Sequence, residues 1–163
     1  MRNRACVWLL AVSLAVGCAS SMLAPEKARQ AEFLEKTTVK RATAYTRALR
    51  WFDKNLNYRS GAPRTQDSTA GKMKLEGGYR CNVLRKPNDL KEYFVAFELD
   101  YDTPPGAIGL HFTQLRMEDA DGNLLSRPEY QLGTTENVDR VQPCLKKMVA
   151  ALLKAVESTT LTW

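Results

Sequence analysis

Tyr93-Phe94-Val95-Ala96-Phe97-Glu98-Leu99-Asp100-Tyr101 is the stretch on which the fold turns. Tyr93, Val95, Phe97, Leu99 and Tyr101 take every second position, while Glu98 and Asp100 fall between them. Side chains along a strand point alternately to its two faces, so this pattern describes a strand with one face in a core and the other in water. A sheet wet on one side is typically antiparallel, which sets the expectation for its neighbours.

Upstream, Met73, Leu75, Tyr79, Cys81 and Val83 alternate with Lys72, Lys74, Glu76, Arg80 and Asn82, giving a second half-buried strand that starts after Gly71. Gly77 and Gly78 interrupt its apolar face and indicate a bulge or a close backbone approach. The Pro87-Asn88-Asp89 turn joins the two strands. Downstream, Pro104-Pro105-Gly106 turns the chain, and Ile108, Leu110 and Phe112 open a third alternating run. Its parity then shifts to Leu115 and Met117, as a bulge near Thr113 or Gln114 would cause. Asp121-Gly122 signals a hairpin, and residues 124–132 can return as an edge strand broken by Pro128.

Two helices flank these strands. Over residues 40–56 Tyr45, Leu49, Phe52 and Leu56 recur at helical spacing beside Ala42 and Ala48, with Thr37 or Thr38 available as a cap. Trp51 sits one step off that stripe, where its ring would close the core edge or face a partner. Over residues 137–157 Val138, Val141, Leu145, Met148, Leu152 and Val156 form a second stripe, with lysines toward the C-terminal end that suit the helix dipole. Residues 31–35 add a short strand ahead of the first helix. An α+β domain is expected: a single antiparallel sheet of four to five strands, in the order β-α-β4-α, with both helices packed on its one apolar face.

The run Tyr45-Thr46-Arg47-Ala48-Leu49-Arg50-Trp51-Phe52-Asp53-Lys54-Asn55, followed by Gly71-Lys72-Met73-Lys74-Leu75-Glu76-Gly77, resembles an exported bacterial domain of unknown function described as having a TATA-binding-protein-like fold. The resemblance covers residues 32–157 and implies the same β-α-β4-α architecture. It implies no activity, and the fold name brings no DNA binding with it.

The address of the chain is written in its first residues. Arg2 and Arg4 precede an apolar run over residues 5–16, which ends in Ala15-Val16-Gly17-Cys18. As a helix that run reaches only about 18 Å, too short for a hydrocarbon core of about 30 Å, so it reads as a secretory leader rather than a membrane span. The layout resembles a bacterial lipoprotein signal: residues 1–17 are removed, Cys18 carries lipid, residues 18–30 are a tether, and residues 31–163 form one domain. Ala15-Val16-Gly17 also suits an ordinary signal peptidase that leaves a soluble product. Ser20, in place of Asp, resembles an outer-membrane destination within the cell envelope.

With 24 Lys and Arg against 18 Asp and Glu the chain carries a formal net charge of +6, and Arg2 and Arg4 depart with the leader. The remaining charge is modest and spread along the chain, which makes nucleic acid a poor partner for an exported domain. Of four cysteines, Cys6 leaves with the leader and Cys18 is consumed by lipid. Cys81 and Cys144 both fall on apolar faces, so in an oxidising compartment they read as one bridge, with two separate buried thiols as the other reading.

Chemistry is scarce. His111 is the only histidine, so the usual zinc site is out of reach, and no Gly-x-Ser-x-Gly elbow accompanies it. Asp119-Ala120-Asp121-Gly122-Asn123 has its glycine at the wrong place for an EF-hand. Glu98, Asp100 and Asp102 share a face, in a spacing that equally suits a wet strand. The expectation is therefore a protein without enzymatic activity, cofactor or metal. Its partners are membrane lipid through Cys18 and an envelope protein at Trp51, Lys72, Lys74, Arg80 or His111. The alternative is a soluble or tethered periplasmic binder of a small ligand or lipid, held in a cavity between helices and sheet. Trp163, at the last position, reads as a mobile end or as a small apolar contact for a neighbouring chain.

Overall fold

The structure, a computed structural model, describes residues 30–57, 65–86, 89–119 and 135–158. The leader with Cys18, the Asp121-Gly122 turn, the strand expected over 124–132 and Trp163 lie outside them. The elements are β1 (Ala31–Lys36), α1 (Arg41–Asn55), β2 (Thr65–Asp67), β3 (Lys72–Lys86), β4 (Asp89–Asp102), β5 (Ala107–Glu118) and α2 (Thr135–Glu157). All five strands join one antiparallel sheet in the order β1-β5-β4-β3-β2. The domain is thus α+β with the expected β-α-β4-α order, and among the described residues its four strands after α1 are β2, β3, β4 and β5.

The alternation in β3, β4 and β5 does what the spacing demands. Leu75, Val95, Phe97, Leu99, Ile108 and Phe112 are fully buried on one face, against Phe52, Leu145, Met148 and Leu152 from the helices. Each such side chain contributes about 1.5–3 kcal/mol of transfer free energy. Rings meet edge to face within this core: Phe97 and Phe112 at 5.0 Å, Phe33 and Phe112 at 5.8 Å, Phe52 and Tyr101 at 5.6 Å. Such pairs add about 0.5–1.5 kcal/mol beyond the area they bury.

The parity shift in β5 is a bulge, as its sequence requires. Ala96 faces Arg116 and Glu98 faces Thr113, so the extra residues of β5 lie opposite Phe97. Gln114 absorbs the distortion at φ 52°, and Leu115 and Met117 return to the core. At Gly77-Gly78 the strand runs through with unbroken register. Gly78 instead receives a close backbone approach: Asn57 donates to its carbonyl at 3.0 Å and accepts from its N–H at 2.9 Å.

Three expectations for α1 change. Its first turn has no side-chain cap: Lys40 holds the cap position, and Thr37 Oγ1 accepts from the Val39 N–H at 3.3 Å instead. Leu49 is only half-buried and Ala42 is exposed, because the helix is rolled so that Ala44, Ala48, Trp51 and Phe52 point inward. Trp51 is therefore a core residue, 5 % exposed, with its ring 5.7 Å from Phe52 and 6.2 Å from Tyr79. A ring held on both sides in this way is not presented to a partner.

Cys81, fully buried on β3, is joined to half-buried Cys144 of α2 by a disulfide with Cα atoms 5.7 Å apart. The bridge pins the last helix to the sheet. Among the described residues no helix is long and apolar enough to cross a membrane.

Candidate functional site

Both helices occupy one face of the sheet, and among the described residues the other face is a surface of strand side chains. Register turns that face into rows that cross the sheet. One row runs Glu32, His111, Asp100, Lys74, Thr65 over β1, β5, β4, β3 and β2. The next runs Leu34, Gly109, Asp102, Lys72, Asp67 over the same strands. Apart from Leu34, these residues line a concavity of about 540 Å³, with Glu32 at one rim and Thr65, Gln66 and Asp67 at the other.

The two rows differ in how their charges are matched. In the first, His111 Nε2 lies 3.1 Å from Gln30 Oε1 and 3.5 Å from Glu32 Oε1, and Lys74 Nζ lies 3.5 Å from Asp100 Oδ1. The Lys74–Asp100 pair is half-exposed and contributes only about 0.2–1 kcal/mol, and the His111 ring nitrogen is occupied by polar contacts from β1 and the residue before it. In the second row, Asp67 accepts the Ala70 N–H at 2.8 Å and so closes its own turn. Lys72 and Asp102 face each other in register, yet no ion pair or hydrogen bond engages either side chain among the described residues. The Asp102 carboxylate leans instead toward β5, over Gly109, where an added Cβ would overlap Oδ1. A glycine at that point makes room for the carboxylate and deepens the cleft floor.

Of the residues singled out from sequence, Lys72, Lys74 and His111 come together in this cleft. Arg80 does not: it sits three rows along β3 from Lys74, roughly 20 Å away at about 3.4 Å per residue. There it pairs with Glu92 at 2.9 Å and lies over the Phe94 ring at 5.3 Å. Glu98 lies between the two regions, opposite Glu76, whose carboxylate accepts from Arg116 at 2.8 Å. Sequence parity placed Lys72, Lys74 and His111 on this face. It also placed Asp100 and Asp102 there, but it missed Gly109 and the approach of Asp102 to it, which depend on which strand stands beside which.

On the helix side of the sheet, the core side chains of the strands pack against Phe52, Leu145, Met148 and Leu152. The Tyr101 hydroxyl, 1 % exposed and without a hydrogen-bond partner, is held protonated well above the usual phenol range, first by burial and then by the neighbouring Asp102 carboxylate. Among the described residues no group of three or more His, Cys, Asp or Glu is placed to hold a metal ion.

No protein-family description matches this chain, and no curated protein matches it. Solved structures of similar shape include a DUF4468 family protein from Bacteroides ovatus, at 14 % identity and TM-score 0.48, the match covering 80 % of this chain and 88 % of that one. Another is a TBP-like protein from Parabacteroides distasonis, at 10 % identity and TM-score 0.49, covering 85 % of this chain and 99 % of that one.

Proposed function

We propose that this chain is a non-enzymatic binding module of the bacterial cell envelope, held at a membrane by acyl chains on Cys18, with the open face of its sheet as the binding surface. The leader that ends in Ala15-Val16-Gly17-Cys18 carries the reading of address. The Cys81–Cys144 bridge supports it, because such bonds persist in oxidising compartments and rarely in the cytosol. Several acyl chains on one cysteine hold firmly, where a single one binds only marginally. The cleft with Lys72, Lys74 and His111 supports the binding role, since it is the concave part of a surface otherwise made of exposed strand side chains.

Cys18→Ser tests the anchor. It is expected to move the protein from the membrane to the soluble fraction and to abolish labelling by a fatty-acid analogue. Unchanged fractionation and labelling would refute lipid attachment at Cys18. Lys72→Glu with Lys74→Glu tests the surface: loss of a stoichiometric partner from detergent-solubilised membranes, with the fold intact, is the expected result.

A further inference from the structure

The cleft is built from one matched row and one unmatched row, and the unmatched row states what it lacks. Lys72 stands in register between Asp67 and Asp102, yet its ammonium makes no ion pair among the described residues, and the half-buried Asp102 carboxylate makes none either. They stand on adjacent strands and still do not meet, because Asp102 leans away from β3 over Gly109. A partly desolvated carboxylate gains most from a cationic donor that arrives with it in the cleft. The complement to this row is a molecule with an ammonium at one end and a carboxylate at the other.

Geometry sets its length. Gly109 and Lys72 are separated by two strand spacings, roughly 10 Å at about 4.8 Å each. An extended chain covers about 3.3–3.6 Å per residue, so two or three residues bridge the gap. A volume of about 540 Å³ accommodates such a molecule. Leu34, 71 % exposed and next to Gly109 in the same row, stands just outside the lining beside the Asp102 end.

We propose that the cleft takes a short peptide of two or three residues with both ends free, its ammonium against Asp102 and its carboxylate against Lys72. This rests on the reading of the open face as the binding surface and names its ligand class. Beside it, Lys74 pairs with Asp100 and His111 Nε2 lies 3.5 Å from Glu32 Oε1, so these groups already have polar neighbours of their own.

The test is calorimetric titration of trialanine into the purified, detergent-solubilised full-length chain. Free trialanine is expected to bind, and acetylating its N-terminus or amidating its C-terminus to weaken binding at least about tenfold, the scale of one charged hydrogen bond. Asp102→Asn and Lys72→Met should each cause the same loss. Gly109→Ala should match it with an unchanged melting temperature, because its Cβ meets only the end of the Asp102 side chain and its backbone is open to alanine. Equal binding of the doubly blocked peptide, or binding that survives both Asp102→Asn and Lys72→Met, would overturn the proposal. So would the absence of binding up to about 10 mM, which is weaker than any useful site of this kind. If trialanine fails while Lys72→Glu with Lys74→Glu still removes a stoichiometric membrane partner, the open face remains the binding surface and only the ligand class is wrong. If both fail, the surface itself is wrong.

Discussion

Arg47, midway along α1, donates from Nη1 to the carbonyl of Val156 in the last turn of α2 at 2.6 Å. The final carbonyls of a helix have no partner within it and carry partial negative charge, so a guanidinium there satisfies both needs at once. It also fastens the two helices to each other at a point that the disulfide does not reach. Arg47→Met, which keeps most of the stem, is expected to lower stability by about 1–2 kcal/mol in urea unfolding without changing the m-value. A loss below a few tenths would mean that water replaces the guanidinium at no cost.

The bridge between Cys81 and Cys144 closes a loop across a sequence separation of 63 residues. In the chain-entropy picture such a crosslink contributes about 4 kcal/mol, as an upper figure because residual structure in the unfolded chain reduces it. Cys81→Ala with Cys144→Ala should lower the unfolding free energy by roughly 2–4 kcal/mol, and the non-reduced wild-type chain should show no free thiol at either position. Two reactive thiols on the unreduced protein would contradict the bond.

Gly71 and Gly106 both have positive φ, 69° and 73°, yet they should respond differently to alanine. Around Gly106 there is open space, so the cost is confined to the left-handed backbone, about 1–2 kcal/mol. At Gly71 an added Cβ would overlap Thr103 Oγ1 and come within 2.9 Å of Arg41 Cγ. Thr103 is 3 % exposed and donates to the Gly71 carbonyl at 3.0 Å, so it cannot step aside without breaking that bond. Gly71→Ala is expected to cost at least about 1 kcal/mol more than Gly106→Ala, adding a buried hydrogen bond to the backbone strain. Equal melting temperatures for the two variants would count against this packing.

Tyr101 makes stability fall in alkali. Its hydroxyl is buried without a partner, and burial together with Asp102 raises its pKa in the folded protein. Above the ordinary tyrosine pKa of about 10 the unfolded chain loses this proton while the folded chain keeps it, so stability is intact below that pH and declines as pH rises above it. Tyr101→Phe removes both the unmet hydroxyl and the titration. It is expected to raise stability at neutral pH by up to about 1 kcal/mol and to flatten the decline above about pH 10 in a pH series of thermal melts. An unchanged alkaline slope would place its origin elsewhere.

The strands of this domain are legible in its sequence wherever a face is buried. Met73 to Cys81, Tyr93 to Tyr101 and Ile108 to Phe112 alternate because one side of each meets the helices, and the change of parity after Phe112 betrays the bulge at Gln114. Thr65-Gln66-Asp67 was invisible for the complementary reason: all three residues are exposed, and β2 exists through its pairing with Lys72, Met73 and Lys74. In α1 a stripe drawn through Leu49 and Phe52 mistook the roll of the helix, since Ala44 and Ala48 let its backbone come close and carry Trp51 inward. The cleft was half legible. Parity along a strand assigns Lys72, Lys74 and His111 to the open face, but the leaning of Asp102 over Gly109 follows from the order of strands, which periodicity does not encode.

That strand order also ranks the loop closures the chain must make to fold. β3 pairs with β4 and β4 with β5, each with its immediate successor, so the meander can zip up from local contacts. β1 must instead find β5 across α1 and all three intervening strands, with Lys36 meeting Ala107, at a larger entropic cost. The meander is thus the natural nucleus and β1 the latecomer. An exported chain threading outward from its N-terminus would carry its first strand unpaired until nearly all the sheet had followed.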